Sequence, residues 1–444
     1  MGTPDPVNAS RSIHGPAGLT ARKAAALIAA GELSAEALLR GCLERIALRE
    51  PTVHAWSYID PDRALREARM RDNMPAIGPL HGVPVAVKDV IDAAGMPTGM
   101  GSPIYNGFHP FADAACVAAL RAAGAVILGK TVTAEFAGVS PGPTTHPWEP
   151  GHTPGGSSSG SAAAVADYMA PLALGTQTGG SVLRPASFCG IVGFKPSFGS
   201  ISRSGIKMAA ESFDTVGLMA RDVDDIALAW QALAGVEDRQ AAPLPRPPKL
   251  KLFRSPYWSQ ASRDTMAAVE QAGEDLRERG WTIEELPTPA GFSELSGART
   301  TINSYERARS LAWEYQNHAE LISPAMRQVI DAGNSVPYEQ YVKAVQTTER
   351  WRAWFAQALE GWDGLVTPAA HGEAPRGLAS TGSAVFQEIW TMLHVPSITL
   401  PLSTGRLGLP VGVQFVGRPH GDAALLALAK SVREGDTAEQ ALTR

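Results

Sequence analysis

HTPGGSSSGSAAAVA, residues 152–166, is the stretch from which the fold of this sequence is predicted. Its first part is rich in glycine and serine, which suits a flexible linker, but its second part is an alanine-rich run, and alanine is the strongest helix former. A loop that opens directly onto a helix presents backbone N–H groups at the helix N-terminus. We therefore predict a loop and a helix here rather than a linker.

The same stretch contains the letters of a serine-hydrolase motif. Residues 156–160, GSSSG, fit G-x-S-x-G, in which a buried apolar strand leads into a sharp turn at the serine. The preceding residues, WEPGHTPG, are polar and turn-forming. Because they do not form a core strand, this interpretation is disfavoured.

A second cluster of small residues follows in residues 172–199. An apolar run predicts a strand that enters this cluster, and TGGS, residues 178–181, can turn tightly and aim several N–H groups at one point. Acyl transfer needs a nucleophile beside such donors, which form an oxyanion hole. Ser181 is therefore the candidate nucleophile.

A base for Ser181 is found upstream, at the end of another apolar run. VPVAVK predicts a short buried strand that ends at Lys88. A buried lysine has a lowered pKa, and its neutral amine can accept a proton. The alternative for Lys88 taken alone is a strand-end lysine whose charged head reaches solvent.

One further motif points to a different chemistry. GAVILGKT, residues 124–131, matches the phosphate-binding pattern G-x-x-x-x-G-K-[ST] letter for letter. Its four intervening residues are apolar and favour a buried strand over a solvated cradle for phosphate. Nucleotide binding is therefore disfavoured.

The composition of the whole chain excludes several classes of protein. The 444 residues are 44% hydrophobic and 19% charged, and the formal net charge of -5 gives no basic excess for nucleic acid. The N-terminus lacks a signal-peptide pattern, and no apolar run approaches the roughly 20 residues of a membrane span, so we expect a cytoplasmic protein. Cys42, Cys116 and Cys189 lie far apart, which indicates buried thiols rather than a metal site.

Helical patterns alternate with short apolar strands along the chain. This alternation predicts the α/β class: a single large domain, 1–444, with a mixed central β-sheet covered by helices. A proline-rich stretch at 236–250 predicts a surface crossing rather than a domain break. The expected regions are N-terminal helices at 1–70, a catalytic core at 75–235, a mostly helical substrate-side region at 250–360, and C-terminal strands and a helix at 361–444.

Together, these motifs resemble the amidase signature family. The resemblance is carried by GVPVAVKD, the GTPGGSSSG-like segment, GTQTGGS and the C-terminal GLPVGVQFVGR, and it extends through nearly the whole chain. It implies the amidase signature fold and a Ser–cis-Ser–Lys triad. In that triad Ser181 is the nucleophile, Ser157 is the bridging serine after a cis peptide bond from Gly156, and Lys88 is the base.

The resemblance also implies the remaining parts of the site. The N–H groups of Thr178, Gly179, Gly180 and Ser181 would line the oxyanion hole, and no metal or organic cofactor is expected.

Two positions depart from the commonest family pattern, G-T-D-x-G-G-S-I-R. Gln177 stands at the Asp position and Leu183 at the Arg position, and an arginine follows at Arg184. This version resembles a smaller branch that includes malonamidase and the biuret-pathway hydrolases. By analogy Arg184 would bind an anionic substrate group, and the alternative is a structural charge. Residues 372–382, GEAPRGLASTG, resemble the same branch and are expected to border the acyl pocket.

The activity implied by the resemblance is hydrolysis of a small-molecule carboxamide C–N bond through an acyl-enzyme on Ser181. A carbamate (urethane) or biuret-type substrate, cleaved with the same triad, is an alternative. Another alternative is the amidase-like subunit of a tRNA-dependent amidotransferase, which needs partner subunits and which the variation at Gln177 and Leu183 disfavours. The expected partner is a small-molecule amide or carbamate, with no nucleic acid or membrane and with a possible homodimer.

Overall fold

The computed structural model of the chain describes residues 15–236 and 246–442. The prediction that the N-terminus lacks a signal peptide concerns residues that lie mostly outside these two ranges. Most of the predicted surface crossing at 236–250 also lies outside them.

Within these two ranges, one mixed β-sheet of 11 strands has the order β1-β3-β2-β4-β6-β5-β10-β11-β9-β7-β8. The strands are β1 Trp56–Ile59, β2 Pro84–Lys88, β3 Val126–Thr131, β4 Leu172–Gln177, β5 Val192–Lys195, β6 Thr215–Ala220, β7 Lys249–Leu252, β8 Thr282–Glu285, β9 Gly364–Pro368, β10 Ser397–Thr404 and β11 Pro410–Val416. β2 pairs in parallel with β3 and β4, and β7 pairs in parallel with β8 and β9. The other pairs are antiparallel.

Helices cover both faces of this sheet. They are α1 Ala21–Ala29, α2 Ala35–Val53, α3 Pro61–Asp72, α4 Ala115–Ala122, α5 Ser159–Ala166, α6 Leu183–Cys189, α7 Val223–Ala234, α8 Arg263–Glu278, α9 Glu294–Ser310, α10 Ala312–His318, α11 Pro324–Asn334, α12 Tyr338–Ala358, α13 Glu388–Met392 and α14 Asp422–Leu442. The predicted single α/β domain with a helix-covered mixed sheet is confirmed.

Alternation of side chains along β2 divides the core into two layers. Val85 and Val87 belong to a cluster with residues of α4, α7, α8 and α14, whereas Ala86 belongs to a cluster with residues of α2, α5 and α6. Successive side chains of a strand point to opposite faces, so a wholly apolar strand is buried on both sides. This burial explains the uninterrupted apolar run that ends at Lys88.

Residues 126–131 of this motif form strand β3, as the apolar letters predict. Gly124 turns with φ +92 after α4, and β3 begins at Val126. Lys130 of the GKT letters is buried, and its Nζ lies 2.9 Å from Asp89 Oδ1. The lysine therefore pairs with a carboxylate inside the protein instead of closing a phosphate loop.

The prediction of buried thiols is also confirmed, and α2 has a side-chain cap at its N-terminus. Ser34 caps α2, because its side chain accepts a hydrogen bond from the N–H of Ala37. Cys42, Cys116 and Cys189 are free and buried. Within 15–236 and 246–442, no helix combines the length and apolar character that crossing a membrane requires.

Candidate active site

The parallel pairing of β2 with β4 brings distant parts of the sequence to one edge of the sheet. Val87 is paired with Leu174, so both strands end at the same edge. Lys88 is the last residue of β2, and Thr178 begins the loop directly after β4. The sheet therefore places the lysine beside the loop that contains Ser181.

The Gly/Ser stretch is a tightly packed loop that leads into α5, as predicted. All eight residues of α5 are buried. A Cβ on Gly160 would lie 2.2 Å from Ala55 O and 2.5 Å from Val132 N, so only glycine fits at this approach to the backbone. A flexible linker is incompatible with this packing.

The serine hydroxyls of this stretch divide into two groups. Three of them donate to main-chain carbonyls: Ser158 to Thr176 O and Ser161 to Leu174 O in β4, and Ser159 to Val132 O directly after β3. The hydroxyl of Ser157, which follows a cis peptide bond from Gly156, instead accepts a hydrogen bond from Lys88 Nζ at 2.7 Å.

Lys88 is fully buried, so its head does not reach solvent. Its Nζ also donates to Thr176 Oγ1 at 2.8 Å and to Thr176 O at 3.3 Å. All three acceptors are uncharged, which leaves the amine without a carboxylate partner in direct contact. Such surroundings stabilise the neutral form of the amine.

Burial lowers the pKa of Lys88 to about 7. The negative charge of Asp214 acts in the opposite direction, and the positive charges of Arg307 and Arg184 lower the pKa further. A substantial fraction of the amine is therefore neutral near pH 7, where it can accept a proton.

Residues 178–181, called the nucleophile loop here after the role predicted for Ser181, are held by their carbonyl groups. Three successive carbonyls accept hydrogen bonds: Gly179 O from Thr391 Oγ1 at 2.8 Å, Gly180 O from Arg184 N at 2.9 Å and Ser181 O from Ser158 N at 3.3 Å. Across a trans peptide, the N–H of the next residue points away from the carbonyl. The N–H groups of Gly180 and Ser181 therefore turn away from the groups that anchor this loop.

Gln177 explains one departure from the commonest family pattern. Its Oε1 accepts from the N–H groups of Val182 and Leu183 at 2.9 and 3.1 Å, and its Nε2 donates to Thr391 Oγ1 at 3.0 Å. Gln177 and Leu183 are both fully buried. A neutral amide thus fixes the start of α6, directly after Ser181, without a buried charge.

A cavity of about 320 Å³ opens onto the nucleophile loop. Thr178, Gly179, Gly180 and Ser181 all line it, and so do residues 380–384. Of the segment 372–382, only residues 380–382 border this cavity, so the prediction holds for its end, whereas residues 372–376 line a separate cavity of about 870 Å³. Larger cavities of about 740 and 870 Å³ lie elsewhere and are not lined by Lys88, Ser157 or Ser181.

Arg184 also lines this cavity, and it is buried. Its Nη2 donates to Gly156 O at 2.5 Å and to Thr381 Oγ1 at 3.1 Å. Its Nε has no hydrogen-bond partner among the described residues. Part of the guanidinium thus holds the peptide bond before Ser157, and part retains an unused donor.

Four charged residues near the site, Asp214, Arg299, Arg307 and Glu388, were not identified from the sequence. Thr178 Oγ1 donates to the carboxylate of Asp214, which also accepts from the N–H groups of Ala209 and Ala210. Arg299 and Arg307 line the cavity from α9. A recurring polar side chain every four residues along α9 is the sequence signal that could have identified the two arginines.

Solved structures of known enzymes share this fold over almost the whole chain. A structure described as that of an amidase is 31% identical, with a TM-score of 0.85, and covers 94% of this chain and 99% of that chain. The native peptide amidase from Stenotrophomonas maltophilia is 30% identical, with a TM-score of 0.79, covering 94% of this chain and 96% of that chain. 6-Aminohexanoate cyclic dimer hydrolase, solved with its substrate, is 25% identical with a TM-score of 0.86, covering 94% and 97%.

The fold and these neighbours define the class of protein: an enzyme that hydrolyses amide C–N bonds. The family profile described as Amidase matches residues 37–426. The chain belongs to this family, the amidase signature family.

Two proteins similar in sequence are subunits of an amidotransferase. The A-subunit of glutamyl-tRNA(Gln) amidotransferase from Symbiobacterium thermophilum is 36% identical over 484 residues, covering 96% of this chain and 99% of that protein. Its counterpart of the same name from Chloroflexus aggregans is 35% identical over 464 residues, covering 92% and 94%.

Proposed function

We propose that this enzyme hydrolyses a small-molecule carboxamide through an acyl-enzyme on Ser181, with Lys88 and Ser157 as the proton relay. The single observation that supports this most strongly is the 2.7 Å contact between Lys88 Nζ and Ser157 Oγ in a buried setting. A lysine amine whose pKa is lowered to about 7 is suited to act as the base.

In the acylation step, the Ser181 Oγ attacks the amide carbon and gives its proton to the Ser157 hydroxyl. Ser157 in turn gives its own proton to the neutral amine of Lys88. The new C–O bond places a negative charge on the substrate oxygen. The N–H groups of Thr178, Gly179, Gly180 and Ser181 would stabilise this oxyanion. The C–N bond then breaks, and the proton returns through Ser157 to the leaving nitrogen, which departs as ammonia or an amine.

Deacylation repeats this sequence with water as the nucleophile. Water attacks the ester carbon on Ser181 and gives a proton through Ser157 to Lys88. When the ester C–O bond breaks, the proton returns to the Ser181 Oγ and the carboxylic acid leaves. The enzyme ends in its starting state, so the net reaction is hydrolysis.

A serine-directed sulfonyl fluoride tests this assignment directly. We expect mass spectrometry to find the label on Ser181 in the wild type and no label after Ser181→Ala. The Lys88→Ala variant should react far more slowly while its circular dichroism spectrum is unchanged. A label confined to another residue, or normal turnover in either variant, would refute the proposal.

The narrower proposal places the enzyme in the malonamidase and biuret-hydrolase branch, with Arg184 binding an anionic substrate group. The unused buried Nε of Arg184 supports this, because buried polar groups are almost always hydrogen-bonded. A carbamate or biuret-type substrate is the close alternative. Turnover of malonamate, a neutral aryl amide, an anilide, an ethyl carbamate and biuret, compared at equal enzyme concentration, separates these classes.

A second candidate function is the amidase-like component of an amidotransferase. The similarity to the A-subunit of glutamyl-tRNA(Gln) amidotransferase over nearly the full length of both chains supports it. Glutaminase activity that appears only with added partner subunits would favour this candidate. Hydrolysis of a small amide by the isolated chain, with no activity on glutamine, would favour the small-molecule amide hydrolase.

We also propose that the chain forms a homodimer. Light scattering of the isolated chain tests this oligomeric state.

A further inference from the structure

One face of α9 is directed at the cavity that contains Ser181. Arg299, Asn303 and Arg307 follow one another at intervals of four residues, which places them on the same side of a helix. All three line the cavity with the nucleophile loop. We refer to these three residues as the α9 face.

Arg299 is held in a defined orientation beside the nucleophile loop. Its Nε lies 2.8 Å from Glu388 Oε2, and the carboxylate is almost fully buried. A Cβ built on Gly179 would lie 3.9 Å from Arg299 Nη1. The guanidinium therefore reaches the immediate surroundings of the proposed oxyanion hole.

Arg307 lies at the other end of the α9 face and is 4% exposed. Its Nη1 donates to Phe136 O at 3.0 Å. Burial lowers the pKa of Arg307, Asp214 raises it, and Arg299 lowers it again. The two arginines of α9 are thus close enough to repel each other across Asn303.

The cavity lining has an excess of positive charge. Among the described residues, three arginines, Arg184, Arg299 and Arg307, face it with a single carboxylate, that of Glu388. Buried charges are costly unless they are paired, so an anion in this cavity would offset their mutual repulsion. Arginine is the residue best shaped to bind a carboxylate through two parallel hydrogen bonds.

We propose that the α9 face binds a carboxylate of the substrate and determines specificity for small amides that carry an anionic group. Arg299 and Asn303 would donate to the carboxylate, and Arg307 would contribute positive charge behind them. This inference rests on the proposed function, because it places the carboxylate in the cavity of Ser181. A volume of about 320 Å³ lies at the lower end of the common range for ligand pockets and suits a short substrate.

The test compares succinamate with butyramide, two primary amides of equal chain length of which only the first has a carboxylate. Each compound is used to protect Ser181 from phenylmethylsulfonyl fluoride, so that binding is measured whether or not turnover follows. With the full-length wild type, we expect succinamate to protect at a concentration at least about tenfold lower than butyramide. The Arg299→Gln and Asn303→Leu variants should lose most of this difference.

Two further variants separate binding from folding effects. Arg299→Gln leaves Glu388 without its partner, so the double variant R299Q/E388Q removes both charges of the pair and should lose the succinamate preference as well. Arg309→Gln is the matched control on the same helix, because the exposed Arg309 guanidinium stacks on the Tyr305 ring and does not line the cavity. Arg309→Gln should keep the preference.

The outcomes distinguish this inference from the proposed function. Labelling of Ser181 with equal protection by both amides would overturn the inference alone, as would an unchanged succinamate preference in Arg299→Gln. A wild type that is not labelled on Ser181 would overturn the proposed function and the inference with it.

Discussion

Lys88 Nζ and Ser157 Oγ are 2.7 Å apart, and the two side chains are only 0% and 1% exposed. Lys88 comes from the end of a central strand and Ser157 from the loop before α5. The contact therefore exists only when the loop, the helix and the parallel strands are all assembled. Removal of any of these supports separates the proposed base from its relay.

The first prediction concerns the pH dependence of kcat/KM. Protonated Lys88 cannot accept a proton, so kcat/KM should rise with pH through a midpoint of about 7 and then become constant. Lys195→Met is a suitable control, because burial lowers the pKa of Lys195 to about 7 as well, yet its Nζ donates to Pro196 O and Val395 O outside the site. That variant should keep the midpoint. A profile without a step between pH 6 and 9 would contradict the role of Lys88.

The second prediction concerns the free energy of unfolding, whose pH dependence follows from the same lowered pKa of Lys88. Between about pH 7 and pH 10.5, Lys88 is protonated in the unfolded chain and neutral in the folded protein. The unfolded state then binds more protons, so the free energy of unfolding rises with pH across this window. Measured by urea unfolding, the wild type should gain stability relative to Lys88→Met from pH 7 to 10. A constant difference between the two proteins would show that the lysine is not perturbed by burial.

The third prediction separates Ser157 from the serines around it. Ser157→Ala removes the hydroxyl proposed as the proton relay, and we expect kcat to fall by about 10²–10⁴-fold. Ser159→Ala is the matched control two residues away, since the Ser159 hydroxyl makes only a 3.4 Å contact with Val132 O. Its turnover should remain close to that of the wild type. Equal losses in the two variants would indicate a packing effect rather than a relay.

The sequence predicted the parts of the site that have a local signal. The apolar run ending at Lys88, the small residues before Ser181 and the alanine run of α5 each indicate their structure by composition alone. The roles proposed for Ser157 and Arg184 required the family resemblance, because nothing in the local pattern distinguishes Ser157 from its neighbouring serines.

The remaining contacts depend on how distant segments pack. The bond from Lys88 to Thr176 joins residues 88 positions apart, and the bond from Gln177 to Thr391 joins residues 214 positions apart. The approach of α9 to the nucleophile loop arises in the same way. Periodicity can place the arginines of α9 on one face of the helix, but it does not record which distant segment that face contacts, since this is set by the strand order and by helix packing on the sheet.

The fourth prediction tests the close approach at Gly160. Gly160→Ala would place a methyl group 2.2 Å from Ala55 O and 2.5 Å from Val132 N. Because both atoms belong to the backbone, they cannot move aside easily, and we expect a loss of about 3 kcal/mol or more in the free energy of unfolding. Gly297→Ala in α9 is the control, because a Cβ there meets nothing within 4 Å. That change should stabilise the protein by about 0.5–1 kcal/mol. Urea unfolding of both variants measures the contrast, and a stable Gly160→Ala protein would contradict the packing described for α5.

The fifth prediction resolves the two roles open to Arg184. Its positive charge lowers the pKa of Lys88, so Arg184→Ala should move the midpoint of the kcat/KM profile to higher pH, and Arg184→Lys should move it less. If Arg184 also binds a substrate carboxylate, Arg184→Ala should lower kcat/KM for succinamate about tenfold to a hundredfold more than for butyramide. An equal loss of kcat/KM for both amides would reject the carboxylate contact. The activity would then depend on the hydrogen bond from Arg184 Nη2 to Gly156 O. In that case Arg184 would act by positioning the peptide bond that leads into Ser157.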